Sequence, residues 1–418
     1  MTTPAATGDA VGEPICRICG ALLDRPVVDL GLSPLSDVFP APADVPRERV
    51  FPLQVHLCAS CGLAQLREFA NPDELFTEYA YFSSFSQSWV DHARRYAETM
   101  IEQLSLGPDS LVVEVASNDG YLLQHFRDRG IEVLGIEPAA NVAAVAVEHG
   151  IPTLVRFFGV EVADELVADG RRADLIAANN VLAQVPDLHD FVGGLAALLA
   201  PDGLLTIEFP HVLRLLERNQ FDTIYHEHFS YFAVAPVAEL MGRHGLAIVD
   251  VEELPTHGGS LRVHVRHTRQ GVAPSGGVAA LLAAEGDGRV FDRERWLAFA
   301  DGVDALRRET LAFLETARRE GRSVAGYGAP GKATTFLNYC GIGPELLPYT
   351  VDRNPYKHGR LMPGTHNPIF PVERLAETRP DYLWILPWNL RDEIAAQLDY
   401  ARAWGAKFVV AVPRLEVL

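Results

Sequence analysis

The sequence predicts an α/β protein built from a small cysteine-rich N-terminal module and two Rossmann-like domains, of which the second is smaller. Two observations carry this prediction. Two Cys-x-x-Cys pairs stand near the N-terminus, and strand–turn–helix units begin at Leu111 and Ser323. A chain of 418 residues exceeds one ordinary core, so its length predicts two or three domains. With these motifs we expect three, at residues 1–69, 70–272 and 273–418.

The composition excludes several classes of protein. With 48% hydrophobic and 22% charged residues, the chain has the balance of a folded globular protein. Lys and Arg number 36 against 55 Asp and Glu, a net charge of −19, which argues against a nucleic-acid surface. We find no apolar run of about 20 residues that would span a membrane, and no signal-peptide pattern at the start. We therefore expect a cytoplasmic protein without nucleic-acid or membrane partners, and we take it to be a monomer.

The two Cys-x-x-Cys pairs predict a structural zinc site. Its ligands are Cys16, Cys19, Cys58 and Cys61, and a Gly follows each pair. In a reducing compartment this pattern indicates a metal rather than disulfides, and two such turns complete a tetrahedral all-thiolate site. The alternative, two redox dithiols, does not explain why there are two pairs. Because four thiolates leave no open ligand position, we expect Zn²⁺ to stabilise the module and to take no part in catalysis.

The first strand–turn–helix unit predicts a cofactor site. A buried strand from Leu111 leads into the turn Ser117–Gly120, and the next strand, Glu132–Ile136, is followed by Glu137. A carboxylate at the tip of the second strand suits the two hydroxyls of a ribose, and the turn brings backbone N–H groups to the ligand. NAD sites normally show Gly-x-Gly-x-x-Gly, whereas this turn contains only Gly120. An Asn-Asp-Gly turn fits S-adenosylmethionine better, since the sulfonium and amino-acid tail need acceptors and not a diphosphate cradle.

Later elements extend this site. Phe158 follows the third strand at a position to flank adenine, and Asn179 ends the fourth strand with a side-chain amide. The predicted cofactor-binding residues are Glu114, Ser117, Asn118, Asp119, Gly120, Glu137, Phe158 and Asn179. Before this domain, residues 70–105 have a helical pattern and include an aromatic, hydroxyl-rich stretch.

A dense polar segment, Tyr225–Phe232, follows the helix after the fifth strand. It holds two histidines, a glutamate and two tyrosines, which suit either a metal site or an acid/base site. The alternative is a polar loop whose His side chains only cap hydrogen bonds. The segment falls near the carboxyl edge of the predicted sheet, where open α/β sheets bind ligands.

The second strand–turn–helix unit carries a Gly-x-Gly-x-x-Gly turn, Gly326–Gly331, followed by Lys332. A cation at the start of the helix would reinforce the helix dipole in binding a diphosphate. The next strand is followed by Asp352, again an acid at a strand tip. The alternative is a purely structural glycine-rich turn. Before this unit we expect a linker or helical hairpin over residues 270–320.

Together these motifs resemble the three-domain sugar C-methyltransferases of bacterial deoxysugar and antibiotic pathways, which convert nucleotide-linked 4-keto-6-deoxyhexoses to 3-C-methyl branched sugars. The resemblance covers nearly the whole chain. It rests on the four cysteines and on the segments Val115–Tyr121, Tyr225–Tyr231, Gly326–Lys332, Val351–Pro355 and Leu386–Asn389. It implies a zinc-binding N-terminal domain, a central class I methyltransferase domain that binds S-adenosylmethionine, and a C-terminal domain that helps hold a dTDP-linked sugar.

The resemblance also implies roles for single residues. His228 resembles the general base, Tyr225 and Glu227 its supporting residues, and Tyr79 a residue that faces the sugar. The predicted substrate-binding residues are Tyr81, Ser84, His226, Tyr327, Lys332 and Asp352. This chain departs from the family at Gln184, where a His is common. A Gln cannot exchange protons near neutral pH, so the proton-transfer role narrows to His228.

The expected chemistry is alkylation of a carbon next to a ketone. His228 would remove the proton from carbon 3, Tyr225 or Tyr79 would donate to the oxygen on carbon 4, and Glu227 would orient the imidazole or a substrate hydroxyl. Two other classes compete: an S-adenosylmethionine-dependent methyltransferase acting on oxygen or nitrogen, and a non-catalytic nucleotide-binding protein. Neither explains why titratable groups are so dense in Tyr225–Phe232.

Overall fold

The N-terminal module is an antiparallel sheet completed by a strand from far along the chain. The computed structural model describes residues 13–69 and 82–418. The sheet has the order β1-β2-β3-β9, with β1 Val28–Ser33, β2 Phe51–Leu57, β3 Ala64–Leu66 and β9 Ser230–Tyr231. Ala64 pairs with Tyr231 and Gln65 with Ser230. The polar segment predicted to be functional is therefore tied by backbone hydrogen bonds to the cysteine-rich module.

The central domain is a seven-stranded sheet with helices on both faces. Its order is β10-β11-β8-β7-β4-β5-β6. The first five strands along the chain pair in parallel, and the last two form an antiparallel hairpin beside β8. The strands are β4 Leu111–Val115, β5 Glu132–Ile136, β6 Thr153–Leu154, β7 Ala173–Asn179, β8 Leu199–Pro210, β10 Leu246–Leu254 and β11 Ser260–His267. The helices are α1 Gln87–Leu104, α2 Leu123–Arg127, α3 Ala140–Glu148, α4 Val160–Ala168, α5 Leu188–Leu198, α6 Val212–Glu217 and α7 Val234–Arg243.

The local sequence explains these elements. Every residue of β4 is buried, as expected of a parallel strand covered on both faces. Helix α1 begins where the Ser86 hydroxyl accepts a hydrogen bond from the Trp89 backbone, a normal N-cap. The helical pattern predicted over 70–105 corresponds to α1 within the described part of the chain; residues 70–81, with the candidates Tyr79 and Tyr81, lie outside it.

The C-terminal domain follows a helical hairpin, as predicted for residues 270–320. The hairpin is α8 Gly276–Asp287 and α9 Arg293–Arg319. The sheet has the order β14-β13-β12-β15-β16-β17, parallel except for its last strand. Its elements are β12 Val324–Tyr327, α10 Gly331–Cys340, β13 Thr350–Val351, β14 Ile369–Phe370, α11 Arg374–Thr378, β15 Tyr382–Ile385, α12 Arg391–Gln397, β16 Lys407–Val410 and β17 Glu416–Val417.

The three parts pack against one another around the loop that precedes β9. In α10, the Thr334 hydroxyl donates to the Ser36 carbonyl at 2.9 Å, and the Thr335 hydroxyl donates to the Ile224 carbonyl at 2.7 Å. Buried side chains of the N-terminal sheet and the C-terminal domain belong to one continuous core. The loop 224–229 therefore lies where all three parts meet. In the described ranges, no helix combines the length and apolar character needed to cross a membrane.

Candidate active site

A cleft of about 920 Å³ lies between the central and C-terminal domains. One wall is formed by the carboxyl ends of β4, β5 and β7, and the other by the turn between β12 and α10. Tyr225 and His228 line it from the loop before β9. Its size is that of a small-molecule site, and its place at the carboxyl edge of two α/β sheets is where such folds bind ligands.

The turn after β4 has an unusual backbone. Ala116, Asn118 and Gly120 all have positive φ, at 58°, 51° and 80°, a region that is uncommon for residues other than glycine. Asn118 lines the cleft, and its Oδ1 accepts a hydrogen bond from the Ser83 backbone at 2.9 Å. Asp119 accepts likewise from the Ser84 backbone at 3.1 Å. The turn therefore both shapes the cleft and anchors the segment that leads into α1.

Other predicted residues of this turn lie beneath it. Glu114, Ser117 and Asp119 are buried and do not line the cleft. Burial raises the pKa of Glu114 well above its usual value. Ser117 packs so closely on β5 that a side chain at Gly135 would lie 2.4 Å from its hydroxyl oxygen. These residues shape the turn, and Ser84, whose side chain is exposed, also lies outside the cleft lining.

Three further cofactor candidates, Glu137, Asn179 and Phe158, line the cleft, whereas Gly120 does not. Glu137 accepts backbone hydrogen bonds from Asn118 at 3.0 Å and from Ala139 at 2.9 Å, one on each oxygen. Each carboxylate oxygen has a further lone pair, so the group is fixed in place and can still accept from two hydroxyls. Asn179 and Asn180 each present a buried side-chain oxygen that lacks a hydrogen-bond partner among the described residues. These acceptors fit the ribose and the amino group of S-adenosylmethionine.

Phe158 also lines the cleft. Its ring meets that of Phe191 edge-on at 5.7 Å, which fixes its orientation. Gln184, at the position where the resemblance implies a His, lines the cleft as well. The cofactor side therefore offers an apolar ring, an acid and several amides. At position 184 it offers the amide of a Gln in place of an imidazole.

His228 is held in one tautomer at the base of the cleft. Its Nδ1 lies 3.2 Å from the Thr223 carbonyl. Because a carbonyl oxygen only accepts, Nδ1 carries the hydrogen and Nε2 keeps a lone pair. The Tyr225 ring packs against the imidazole with ring centroids 4.1 Å apart and an angle of 35° between the ring planes. Burial lowers the pKa of His228 to about 3, and the Thr223 hydrogen bond acts in the opposite direction, so the ring is neutral at physiological pH.

The two residues before His228 point elsewhere. His226 lies 3.2 Å from the Pro52 carbonyl and meets the Phe51 ring edge-on. Glu227 accepts hydrogen bonds from Ser36 and Asp37, so it does not orient His228, contrary to the expectation that it would. Neither residue lines the cleft.

The glycine-rich turn forms the opposite wall. Gly328 has a φ of 87°, which a side chain would strain. Asp352 shapes the turn, since its two oxygens accept from the backbones of Ala329 at 2.7 Å and Asn354 at 2.8 Å. Asp352 and Tyr327 both line the cleft. The turn therefore has the form of an anion-binding loop, with α10 beginning directly behind it.

Lys332, the second residue of α10, reaches the same cleft. Its Nζ donates to Asn389 Oδ1 at 3.1 Å and lies 4.9 Å from the centre of the Trp388 ring. Burial lowers the pKa of Lys332 to about 8, and the nearby Asp222 opposes this shift. Lys332 as a whole is only 9% exposed, so it lies in the interior of the cleft and not at its rim.

One cleft residue that the sequence patterns did not predict is His257, in the hairpin turn between β10 and β11. Its φ is 51°, and its ring meets Trp89 edge-on at 5.2 Å. Burial lowers its pKa to about 4, and the charge of Lys332 adds to this effect. The sequence held one signal for this position, the two glycines that follow His257. A side chain at Gly258 would clash with Trp388, so the glycine allows the turn to pack closely at the cleft.

The four predicted metal ligands converge. All four Sγ atoms lie within 4.8 Å of one another. The closest contacts join the two turns, with Cys16 3.4 Å from Cys61 and Cys19 3.5 Å from Cys58. The Gly20 backbone donates to the Cys16 carbonyl at 2.9 Å, and the second turn repeats this bond. Zn–S bonds of about 2.3 Å suit this cluster, so the residues fit a closed tetrahedral zinc site.

Comparison with known proteins decides the family. Residues 255–413 match the model of a C-methyltransferase C-terminal domain, residues 89–251 that of a methyltransferase domain, and residues 16–76 that of a zinc binding domain. Over 404 residues the chain is 36% identical to C-methyltransferase NovU of Streptomyces niveus, covering 96% of each protein. The chain belongs to this C-methyltransferase family. The resemblance predicted from the motifs is confirmed, and the protein is an S-adenosylmethionine-dependent C-methyltransferase with an N-terminal zinc-binding domain.

Other relatives of this C-methyltransferase share a smaller part of it. A ubiquinone biosynthesis O-methyltransferase of Rhodopseudomonas palustris (strain BisA53) is 25% identical over 151 residues, covering 31% of this chain and 60% of that protein. The solved magnesium protoporphyrin IX methyltransferase of Synechocystis PCC 6803 with bound S-adenosylmethionine matches with a TM-score of 0.32 at 16% identity, covering 42% of this chain and 80% of that one. The full-length match to NovU therefore carries the family assignment.

Proposed function

We propose that this C-methyltransferase adds a methyl group to carbon 3 of a dTDP-linked 4-keto-deoxyhexose, with His228 as the general base. The observation that carries the proposal is the state of His228: a neutral imidazole whose unprotonated Nε2 is available at the base of a cleft that two α/β domains share. The sugar, carbon 3 and the dTDP group come from the family resemblance of the motifs.

The two walls of the cleft bind different molecules. Glu137, Asn179 and Phe158 hold S-adenosylmethionine, which supplies the methyl group. The glycine-rich turn and Asp352 hold the nucleotide sugar from the other wall. Tyr225, whose ring packs against the imidazole, limits where the sugar ring can lie. Donor and acceptor are thereby held at contact distance, which converts a two-molecule collision into a reaction within one complex.

His228 performs the proton transfer. The proton of the C–H bond at carbon 3 moves to Nε2, and the electron pair of that bond moves toward the oxygen on carbon 4. Carbon 3 then bonds to the methyl group as the methyl–sulfur bond breaks, and S-adenosylhomocysteine is released. The proton on His228 leaves to solvent after product release, which returns the imidazole to its neutral form.

A panel of thymidine-diphosphate 4-keto sugars tests this function. With S-adenosylmethionine we expect one product that carries a new C–CH₃ group at carbon 3 by NMR. Without the cofactor, in D₂O, we expect His228-dependent exchange of the hydrogen at carbon 3. His228→Asn should lose both signals by about 10²- to 10⁴-fold and still bind S-adenosylhomocysteine, whereas His226→Asn, outside the cleft, should keep them. An O-methylated or N-methylated product would overturn the proposal.

A further inference from the structure

The chain uses lysine sparingly. Of its 36 basic residues only three are lysines, Lys332, Lys357 and Lys407. Lys407 is exposed at the start of β16, whereas Lys332 and Lys357 are buried, at 9% and 8% exposure, and line the cleft. A lysine presents a compact ammonium with three donors, whereas an arginine presents a planar guanidinium, so each buried lysine places a point charge in the cleft.

The ammonium of Lys332 donates fewer hydrogen bonds than it can. It can donate three hydrogen bonds, and one goes to Asn389 Oδ1 at 3.1 Å. Within residues 13–69 and 82–418 it makes no other hydrogen bond and no ion pair within 4.0 Å. A buried charge with unfilled donors is costly. Since Lys332 lines the cleft, a ligand oxygen is the natural acceptor for the remaining donors.

The surroundings of Lys332 fix its position. The ammonium lies over the Trp388 ring, and the indole N–H of Trp388 donates to Asp222 Oδ2 at 2.7 Å. The hydrogen bond anchors the ring, and the ring with Asn389 places the ammonium. Asp222 also favours the charged form of Lys332 electrostatically. The group is thus built to present a positive charge at a defined point in the cleft.

Lys332 lies on the reaction side of the cleft. Its ammonium lies over Trp388, whose indole N–H donates to Asp222 at 2.7 Å. The next residue along the chain, Thr223, offers the carbonyl that lies 3.2 Å from His228 Nδ1. Lys332, His228 and His257 all line the same cleft, and the charge of Lys332 adds to the lowering of the pKa of both histidines. A buried imidazole beside an ammonium is a poor proton acceptor, because protonation places two positive charges close together. His228 becomes an effective base only when a negative charge forms next to both groups. The oxygen of a carbonyl next to the ionising C–H bond acquires that charge.

The diphosphate has other groups available. Lys357 donates from Nζ to the Ala329 carbonyl at 2.8 Å, which places its charge directly at the glycine-rich turn, and Arg353 lines the cleft nearby. We propose that Lys332 is a catalytic residue that donates a hydrogen bond to the substrate carbonyl oxygen and stabilises the negative charge formed when His228 takes the proton. The inference rests on the proposed function and gives a specific form to the predicted substrate-binding role of Lys332. No bond is made or broken at its nitrogen.

Two properties separate this role from diphosphate binding. In Lys332→Met we expect kcat and the rate of hydrogen exchange at carbon 3 to fall about 10²- to 10³-fold, the usual effect of losing one donor to a developing oxyanion. The Kd of thymidine diphosphate alone and that of S-adenosylhomocysteine should change less than about threefold. Lys332→Arg should recover part of the exchange rate, because it keeps the charge. Lys407→Met, at the exposed lysine, is the matched control and should behave as the wild type.

The opposite result is equally clear. If Lys332→Met weakened thymidine diphosphate at least about tenfold with kcat unchanged at saturation, Lys332 would be a diphosphate ligand and the inference would be wrong. Should Lys332→Met fail to bind S-adenosylhomocysteine, Asn389→Leu provides the second variant, since it removes the acceptor that orients the ammonium. We expect it to lower kcat about tenfold with KM unchanged, and an unchanged kcat would reject the inference.

A wild-type enzyme that binds S-adenosylhomocysteine but neither exchanges nor methylates any 4-keto sugar would instead overturn the proposed function, and this inference with it.

Discussion

Both carboxylate oxygens of Glu227 accept hydrogen bonds from Ser36, one from its backbone N–H at 2.7 Å and one from its hydroxyl at 2.9 Å. The two residues are 191 positions apart in the sequence. Ser36 in turn accepts a hydrogen bond on its carbonyl from Thr334 of α10. The residue next to the proposed base therefore joins the loop 224–229 to the N-terminal module and, through Ser36, to the C-terminal domain.

Replacing Glu227 should separate its charge from its hydrogen bonds. We expect Glu227→Ala to destabilise the protein by about 1 to 3 kcal/mol, because buried donors of Ser36 and Asp37 lose their acceptor. Glu227→Gln keeps an acceptor oxygen and should retain most of the stability. Burial, with the neighbouring Asp37, raises the pKa of Glu227 to about 7, so removing the charge alone costs little near neutral pH.

Thermal unfolding measures this difference. Glu98→Ala, which removes an exposed ion pair with Arg94, is the control and should barely change Tm. Equal losses in Glu227→Gln and Glu227→Ala would show that the charge, and not the hydrogen bonds, matters.

The zinc site should stabilise the module and, through β9, the cleft. Cys58→Ser is expected to lose bound zinc, lower Tm and reduce methyl transfer, because structural zinc binding is coupled to folding. Cys340→Ser changes a buried cysteine outside the cluster and should keep one zinc per chain by elemental analysis. A Cys58→Ser protein with full zinc content would disprove the four-thiolate assignment.

Glu137 should be needed for cofactor affinity. Loss of hydrogen bonds from ribose hydroxyls to a charged acceptor is expected to weaken S-adenosylhomocysteine about 10- to 100-fold in Glu137→Ala. Glu132→Ala alters an exposed acid at the start of β5, the strand that Glu137 follows, and serves as the control. Isothermal titration calorimetry gives both Kd values, and equal affinities for the two variants would remove Glu137 from the cofactor site.

The alkaline side of the pH–rate profile should report Lys332. Burial lowers its pKa to about 8, so the ammonium is charged below that pH and loses its charge as the pH rises through it. Among the groups that face it, His228 and His257 have pKa values of about 3 and 4, and Asp222 about 6. None of these titrates on the alkaline side. We expect kcat to fall above about pH 8 in the wild type, and this fall to move upward in Lys332→Arg, whose guanidinium stays charged.

The three-part fold could be predicted because its signals are local. Apolar strands such as β4, turns of small residues and acids at strand tips recur within about 30 residues of sequence. The zinc site was equally readable, since Cys16, Cys19, Cys58 and Cys61 form two repeated turns. The family comparison confirms the C-methyltransferase resemblance that these motifs implied.

The direction of side chains could not be read in the same way. His226, Glu227 and His228 are consecutive, yet the turn closed by the bond from the His228 backbone to the Tyr225 carbonyl sends them toward different neighbours. A dense polar segment predicts that a site exists but not which of its members face it. His257 and Lys332 reach the cleft from distant parts of the chain, and only the packing of the domains brings them together.

Strand β9 has a consequence for how this chain can be rebuilt. The N-terminal module contains three strands of its sheet and takes the fourth from residues 230–231. A chimera that exchanges only residues 1–69 between relatives would pair a foreign strand edge with the resident Ser230–Tyr231. The segment that can be exchanged intact is therefore discontinuous in the sequence. A chimera that folds must take the loop bearing His228 from the same parent as the cysteines.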